Sequence, residues 1–229
     1  MNEQITIDGP AASGKSTLAK QIAKKLDAYF INTGDMYRTL TWVALEKNID
    51  ILKETEKVVD LLSKVDIRYV IDHDKSLVLT CEGQPVIPEE IRAPHVTEKV
   101  SFTASIPEVR KWLVARQRES AQLGLLVMEG RDIGTVVFPD ANYKFFVTAS
   151  PMVRAMRRLA QDGEVPEGSS VEKVAKDIAK RDELDSNRKI SPLKQAEDAL
   201  FVDTSHLTVD EATDKIVEHV RQKQSAVHA

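Results

Sequence analysis

The chain has a single cysteine, Cys81, among its 229 residues, which excludes an intramolecular disulfide framework. One thiol fits a reducing compartment, and Cys81 itself is interpreted as a small strand residue and not as a nucleophile. No apolar run approaches the length of a membrane span. The first residues lead straight into a predicted strand, without a basic leader or an apolar signal segment. These absences predict a cytoplasmic protein that has no membrane partner.

Excess positive charge is also absent, because 32 Lys and Arg residues face 36 Asp and Glu residues, giving a net charge of -4. Non-specific binding to nucleic acid usually needs a basic surface, so we expect no nucleic-acid partner. The apolar fraction of 42% and the charged fraction of 30% are typical of a soluble globular protein. Its length suits one sizeable α/β domain with a small insert.

The N-terminal segment predicts a parallel sheet. Residues 4–8 form a short apolar strand, and apolar residues then recur at helical spacing from Leu18 to Leu26. A second short strand follows at 28–32. A strand, a helix and a strand within about thirty residues form a βαβ unit, and that unit implies parallel strands.

Further strands are predicted downstream, at 125–128, 143–148 and 199–203, before a last amphipathic helix that runs through Val209 and Val220. Near-continuous apolar runs of this kind suit strands that are buried on both faces. Between these α/β segments the pattern changes, because 66–71 alternates in period two and polar turns separate it from 76–81 and 85–87. We interpret this stretch as an inserted antiparallel meander.

These patterns, together with a G-x-x-x-x-G-K-[ST] loop at residues 9–16 directly after the first strand, predict a single α/β domain over residues 1–229: a P-loop parallel sheet flanked by helices, with a small inserted antiparallel β subdomain and a short helical lid. The core is assigned to about 1–60, 95–150 and 190–229, the insert to about 65–94 and the lid to about 151–170. Within the lid, the glycines and proline of 161–170 predict a mobile flap between two helices.

The strongest motif is a phosphate-binding loop directly after the first strand. Gly9, Gly14, Lys15 and Ser16 match G-x-x-x-x-G-K-[ST], and strand and helix stand on the expected sides. Glycines let the backbone N–H groups approach phosphate, Lys15 reaches the β- and γ-phosphates, and the Ser16 hydroxyl ligates Mg²⁺. We therefore predict ATP binding through Gly9, Pro10, Ala11, Ala12, Ser13, Gly14, Lys15, Ser16 and Thr17.

A P-loop alone does not separate a motor, a switch, a transporter ATPase and a kinase. The guanine-reading N-K-x-D motif and the L-S-G-G-Q signature are both absent, and the length disfavours a motor. Arg38 and Arg131 each follow a predicted strand on a glycine-flanked loop, at the edge where α/β sheets bind ligands. Arginines at this edge favour a small kinase whose acceptor is anionic.

Other charged residues leave two interpretations open. Arg154, Arg157 and Arg158 recur at i, i+3 and i+4, as a solvated basic helix or as a lid that stabilises the transferring phosphoryl group. The lid interpretation is preferred because the flap follows directly. Asp132 either pairs with Arg131 or accepts from an exocyclic amine such as cytosine N4. Arg181, Asp185 and Arg188 share a predicted helix face. They either serve the site or only form salt bridges with one another along the helix.

Taken together, these residues resemble the bacterial cytidylate kinases of the nucleoside monophosphate kinase family over nearly the whole chain. The most specific segments are 6–17, 33–38, 129–140 and 181–188, and the insert at 65–91 is similar to the enlarged monophosphate-binding subdomain of the bacterial enzymes. The resemblance implies transfer of the γ-phosphoryl group of ATP to CMP or dCMP, with Mg²⁺. We expect the protein to be a monomer.

The resemblance also implies roles for single residues. Lys15, Arg154, Arg157 and Arg158 form the implied catalytic set. The implied CMP site comprises three ligands of the acceptor phosphate, three residues that read cytosine, a pair that contacts the sugar and a hydroxyl residue that lines the site. They are, in that order, Arg38, Arg131 and Arg188; Ser101, Arg110 and Asp132; Arg181 and Asp185; and Thr33.

Three positions depart from the family pattern. The family more often has Asp at 32 and a small residue at 35, where this chain has Asn32 and Asp35, and usually has Asp where this chain has Glu129. Asp35 lies close in sequence to Arg38 and can pair with it. Two alternatives to a cytidylate kinase stay open: a kinase for another small anionic metabolite, and a non-enzymatic nucleotide switch or RNA-binding accessory protein.

Overall fold

A parallel five-stranded sheet forms the centre of the protein, in the strand order β2-β6-β1-β7-β8. The computed structural model describes residues 3–74, 76–161, 165–166 and 168–227. Within them the strands are β1 (Gln4–Asp8), β2 (Tyr29–Asn32), β3 (Ile67–Ile71), β4 (Leu77–Cys81), β5 (Gln84–Pro85), β6 (Leu126–Gly130), β7 (Tyr143–Thr148) and β8 (Leu200–Asp203). Every neighbouring pair in the central sheet is parallel, so the predicted fold class is confirmed.

Helices cover both faces of this sheet. Among the described residues they are α1 (Lys15–Lys25), α2 (Thr33–Glu46), α3 (Thr55–Leu61), α4 (Pro88–Arg92), α5 (Pro94–Thr103), α6 (Pro107–Glu119), α7 (Pro151–Leu159), α8 (Val171–Ser186) and α9 (Val209–Val227). A short 3₁₀ turn spans Ser120–Leu123, and a π-helical turn spans Ile133–Val137. None of these helices is long and apolar enough to cross a membrane, within the part of the chain that is described.

Burial of apolar side chains holds the layers together. On one face, α1 and α9 pack against the sheet through fully buried residues such as Ile22 and Ile216. On the other face, Ile31, Met128 and Ile133 form a second buried cluster. Each fully buried side chain of this size contributes roughly 1.5–3 kcal/mol, so these clusters hold the helices against the sheet.

The strand register brings three strand ends to one edge of the sheet. Asp8 of β1 lies opposite Gly130 of β6, and Asn32 of β2 lies opposite Glu129. The predicted strand ended at residue 128, which left Glu129 and Gly130 in the loop after it. That boundary was wrong, because both residues pair in register with the neighbouring strands.

The inserted segment forms a second, antiparallel sheet in the order β3-β4-β5. Its apolar side packs on α2 and α6, where Ile67 meets the cluster that contains Leu40 and Leu113. The predicted third strand at 85–87 is shorter than expected. Val86 still donates to the Leu79 carbonyl, but Ile87 is already the N-cap residue of α4.

Helices α7 and α8 pack against the phosphate-binding loop. Ala155, Val174 and Ile178 form a small buried cluster with Ala11 of that loop. The predicted flap at 161–170 connects the two helices, and its residues 162–164 and 167 lie outside the described residues. The boundaries of core, insert and lid stay predictions.

Candidate active site

The phosphate-binding loop connects β1 to α1 in a conformation that requires glycine at its first position. Gly9 has a φ of 151°, and a Cβ atom there would lie 2.0 Å from the carbonyl oxygen of Val147 on β7. Gly14 has a φ of 88°, immediately before α1 begins at Lys15. The first N–H groups of α1 therefore point into the loop, where the helix dipole favours an anion.

Lys15 is buried and folds back over this loop. Its Nζ atom donates to the Pro10 carbonyl at 2.7 Å and to Ser13 Oγ at 3.3 Å. Burial, followed by repulsion from Arg131, lowers the pKa of Lys15 to about 7. A bound phosphate chain would favour the charged form, because an opposite charge nearby raises the pKa of an amine.

Ser16 and Glu129 present oxygen atoms side by side at the sheet edge. The Ser16 hydroxyl donates to Glu129 Oε1, and Glu129 is the penultimate residue of β6, the strand next to β1. The described residues contain no group of three or more His, Cys, Asp or Glu side chains suited to a metal ion. Mg²⁺ usually takes one or two protein oxygens and completes its shell with phosphates and water, so this pair fits Mg²⁺. Glu129 was not predicted as a Mg²⁺ ligand, although its position near the carboxyl end of the strand beside the P-loop strand is the signal for it.

All nine predicted CMP-site residues line one cavity, and the cavity also contains Lys15, Ser16 and Arg158. These nine residues come from four separate parts of the chain: Thr33, Arg38, Ser101, Arg110, Arg131, Asp132, Arg181, Asp185 and Arg188. The residues predicted to bind the acceptor are thus brought together beside those predicted to bind the donor.

Asp185 organises one side of this cavity. It is 1% exposed and accepts hydrogen bonds from Arg131 Nε at 2.9 Å, from Ser101 Oγ at 3.3 Å and from Arg188. Burial alone would raise the pKa of Asp185, but Arg131, Arg188 and Arg181 together lower it to about 2. The predicted helix face is corrected here: α8 ends at Ser186, so Arg188 lies beyond the helix and still reaches Asp185.

Asp132 pairs with Arg110 and not with its sequence neighbour Arg131. The Arg110 Nη2 atom lies 2.5 Å from Asp132 Oδ2, and the two side chains are 2% and 6% exposed. Arg110 also donates to the Ala104 carbonyl at 3.2 Å and lies over the Tyr37 ring. This buried pair fixes a carboxylate and a guanidinium side by side in the cavity wall, where both can meet the polar edge of a base.

Arg38 lies across the first turn of α2. A Cβ atom at Gly34 would lie 2.9 Å from Arg38 Nη1, so glycine makes room for the guanidinium. Arg38 Nη1 lies 3.5 Å from Asp35 Oδ1, which is the pairing that the sequence suggested. Asp35 has a second, closer partner, Arg92, which the sequence analysis missed.

The three predicted lid arginines do not converge on one point. Arg158 lines the acceptor cavity, whereas Arg154 donates to the Ala11 carbonyl at 3.1 Å and pairs with Asp182. Arg157 donates to the Ser13 carbonyl at 3.0 Å and to Thr204. Two of the three therefore hold the backbone of the phosphate-binding loop.

Positive charge accumulates around the cavity. Burial, together with repulsion from neighbouring arginines, lowers the pKa of Arg158 to about 9. Burial also lowers the pKa of Arg181 to about 10, against the attraction of Asp185. Perturbed groups that face a cavity are typical of a functional site, and here they indicate a site for an anion.

A loop built for a phosphate chain thus faces an arginine-lined cavity across the carboxyl edge of a parallel sheet. This arrangement defines a P-loop phosphotransferase, in which the donor and an anionic acceptor meet end to end.

Comparison with known proteins gives the family. The sequence profile described as Cytidylate kinase matches residues 5–222. A cytidylate kinase of Clostridium botulinum is 44% identical over 222 residues, covering 97% of this chain and 99% of the relative. A cytidylate kinase of Bacillus thuringiensis is 47% identical over 213 residues, covering 93% of each. The chain belongs to the cytidylate kinase family.

One solved structure supports the fold alone. An uncharacterized protein from Eubacterium ventriosum superposes with a TM-score of 0.53 at 13% identity, covering 96% of this chain and 98% of that one.

Proposed function

We propose that the protein transfers the γ-phosphoryl group of ATP to CMP or dCMP, giving ADP and CDP or dCDP. The observation that carries this proposal is that all nine predicted acceptor residues line one cavity beside Lys15 and Ser16. Family membership supports cytosine as the base of the acceptor.

On the donor side, residues 9–17 hold the phosphates of ATP through backbone N–H groups and Lys15. Ser16 and Glu129 are the residues that would hold Mg²⁺. When bound, Mg²⁺ neutralises charge on the β- and γ-phosphates. Lys15 leaves its contacts with Pro10 and Ser13 and donates to the phosphate chain.

On the acceptor side, we assign binding of the nucleotide phosphate to Arg38, Arg131 and Arg188, because guanidinium groups form bidentate hydrogen bonds with phosphate. The buried Arg110–Asp132 pair and Ser101 read the cytosine edge, where Asp132 accepts from the exocyclic amine. Arg181 and Asp185 contact the sugar, and Thr33 lines the phosphate site. The Thr33 hydroxyl donates to the Glu129 carbonyl at 2.8 Å.

Transfer between two phosphates depends on position and on charge neutralisation more than on a side-chain nucleophile. We assign Arg158 to the developing charge on the transferred group, since it lines the same cavity as Lys15 and Ser16. Arg154 and Arg157 act as positioning residues, because they hold the carbonyl groups of Ala11 and Ser13.

A coupled assay for ADP tests this function. We expect ADP formation that depends on both CMP and Mg²⁺, and a Lys15→Met variant slowed on the order of a hundredfold or more. Hydrolysis of ATP that no acceptor stimulates would contradict the proposal and would favour a nucleotide switch. A monomeric state, a cytoplasmic location and the absence of a nucleic-acid partner remain predictions.

A further inference from the structure

Two arginines share the Asp35 carboxylate unequally. Asp35 lies buried in the first turn of α2, and its Oδ2 atom accepts from Arg92 Nη2 at 2.6 Å. Its Oδ1 atom lies 3.5 Å from Arg38 Nη1, the outer limit for a hydrogen bond. The negative charge of Asp35 is therefore committed mainly to Arg92.

The guanidinium group of Arg38 has N–H donors that lack a close acceptor among the described residues. Its Nε atom is buried without a hydrogen-bond partner in the described part of the chain, and its one hydrogen bond to Asp35 is long. Leaving a buried donor unpaired costs free energy, so this arginine gains a partner when an anion enters the cavity that it lines.

Arg92 belongs to a different structural unit from its partner. It ends α4, which follows the inserted sheet, whereas Asp35 and Arg38 both lie on α2. Among the described residues that line the acceptor cavity, Arg38 is present, and Asp35 and Arg92 are not. Arg92 therefore acts on the cavity through Asp35.

We propose that Arg92 is a positioning residue that neutralises Asp35 and so leaves Arg38 available to the acceptor phosphate. This inference rests on the proposed function. Without Arg92, the Asp35 carboxylate would draw Arg38 toward itself and would repel the incoming phosphate, at short range and with little screening by water. Asp35 is a carboxylate next to Arg38, the residue assigned to the acceptor phosphate. Arg92 neutralises that carboxylate, so it does not repel the phosphate.

A double-mutant cycle tests this directly. We expect Arg92→Ala to raise the KM for CMP about tenfold, equivalent to about 1.4 kcal/mol, with kcat and the KM for ATP nearly unchanged. Asp35→Ala alone should leave the KM for CMP unchanged or lower it. The combined Asp35→Ala/Arg92→Ala variant should bind CMP as well as Asp35→Ala does, because the charge that Arg92 neutralises is gone.

Arg68→Ala is the matched control, since it removes an exposed arginine of the same insert from its pair with Asp66 at 2.8 Å. It should change neither KM. Thermal unfolding of each variant shows whether it is folded, and Arg92→Gln repeats the test with less loss of packing. A purely structural role for Arg92 would lower the unfolding temperature of Arg92→Ala and restore it in the double variant, without a selective change in the KM for CMP.

The outcomes distinguish a failure of the role assigned to Arg92 from a failure of the proposed function. Recovery of CMP binding in the double variant supports the proposal. The proposal is overturned if the double variant has a KM for CMP as high as that of Arg92→Ala, or if Arg92→Ala leaves this KM unchanged. In either case, CMP phosphorylation by the wild type leaves the proposed function standing. A wild-type protein that does not phosphorylate CMP overturns both.

Discussion

Replacing Asp132 with alanine would leave Arg110 as a buried cation without its counter-charge. The two side chains are 6% and 2% exposed, so water replaces the lost carboxylate poorly. Removing one partner of a buried pair costs about 3–5 kcal/mol of stability. Arg110 keeps its bond to the Ala104 carbonyl and its contact with the Tyr37 ring, so we expect the lower end, about 3 kcal/mol.

Urea unfolding, followed by tryptophan fluorescence, measures this loss as a shift of the midpoint at constant slope. The double variant Asp132→Leu/Arg110→Met removes both charges, and we expect it to recover most of the stability. Both variants should lose cytosine recognition, because both lack the Asp132 carboxylate. The preference for CMP over UMP should fall by about 5–150-fold, equivalent to about 1–3 kcal/mol.

Two results would refute this reasoning. A loss of stability under about 1 kcal/mol for Asp132→Ala would show that the pair is not the buried ion pair described here. Equal losses toward CMP and UMP would show that Asp132 does not read the base.

Three further predictions concern Gly34, Asp8 and Glu129, which lie around the phosphate-binding loop and the cavity. Gly34→Ala should raise the KM for CMP by on the order of tenfold to a hundredfold and spare the KM for ATP, because its Cβ displaces Arg38. Burial raises the pKa of Asp8 to about 7, so Asp8 should contribute a fall in the free energy of unfolding that approaches about 1.4 kcal/mol per pH unit between about pH 4 and pH 7. Above the raised pKa the loss is complete, and Asp8→Asn should lack this slope in urea titrations. Glu129→Gln should raise the Mg²⁺ concentration needed for half-maximal activity, since it removes a charged oxygen beside Ser16; an unchanged requirement would contradict the assignment.

The central sheet and the phosphate-binding loop could be predicted because both depend on local patterns. The apolar runs of β1, β6 and β7 mark strands that are buried on both faces, and the loop motif names its own residues. Helices α4, α5 and α6 were not predicted, although each begins at a proline, Pro88, Pro94 and Pro107, at the first helical turn. Proline at that position is a start signal that the sequence carries.

The partners of the charged residues could not be predicted from spacing. Arg110 lies 22 positions from Asp132, whereas Arg131 is adjacent in sequence, yet the pair forms with Arg110. Asp182 meets the Ala11 N–H group across 171 positions. Helical spacing also suggested a common target for Arg154, Arg157 and Arg158, but the loop beside α7 divides them among different carbonyl groups and the cavity. Such choices depend on how the helices pack.

The central claim is that the arginine-lined cavity accepts a cytidine monophosphate. The most direct test compares kcat/KM for CMP, dCMP, UMP and AMP as acceptors at matched concentrations with ATP and Mg²⁺. We expect CMP or dCMP to exceed UMP and AMP by at least about tenfold, because the Arg110–Asp132 pair favours the cytosine edge. Equal values for all four nucleotides, or a higher value for UMP or AMP, would contradict the claim.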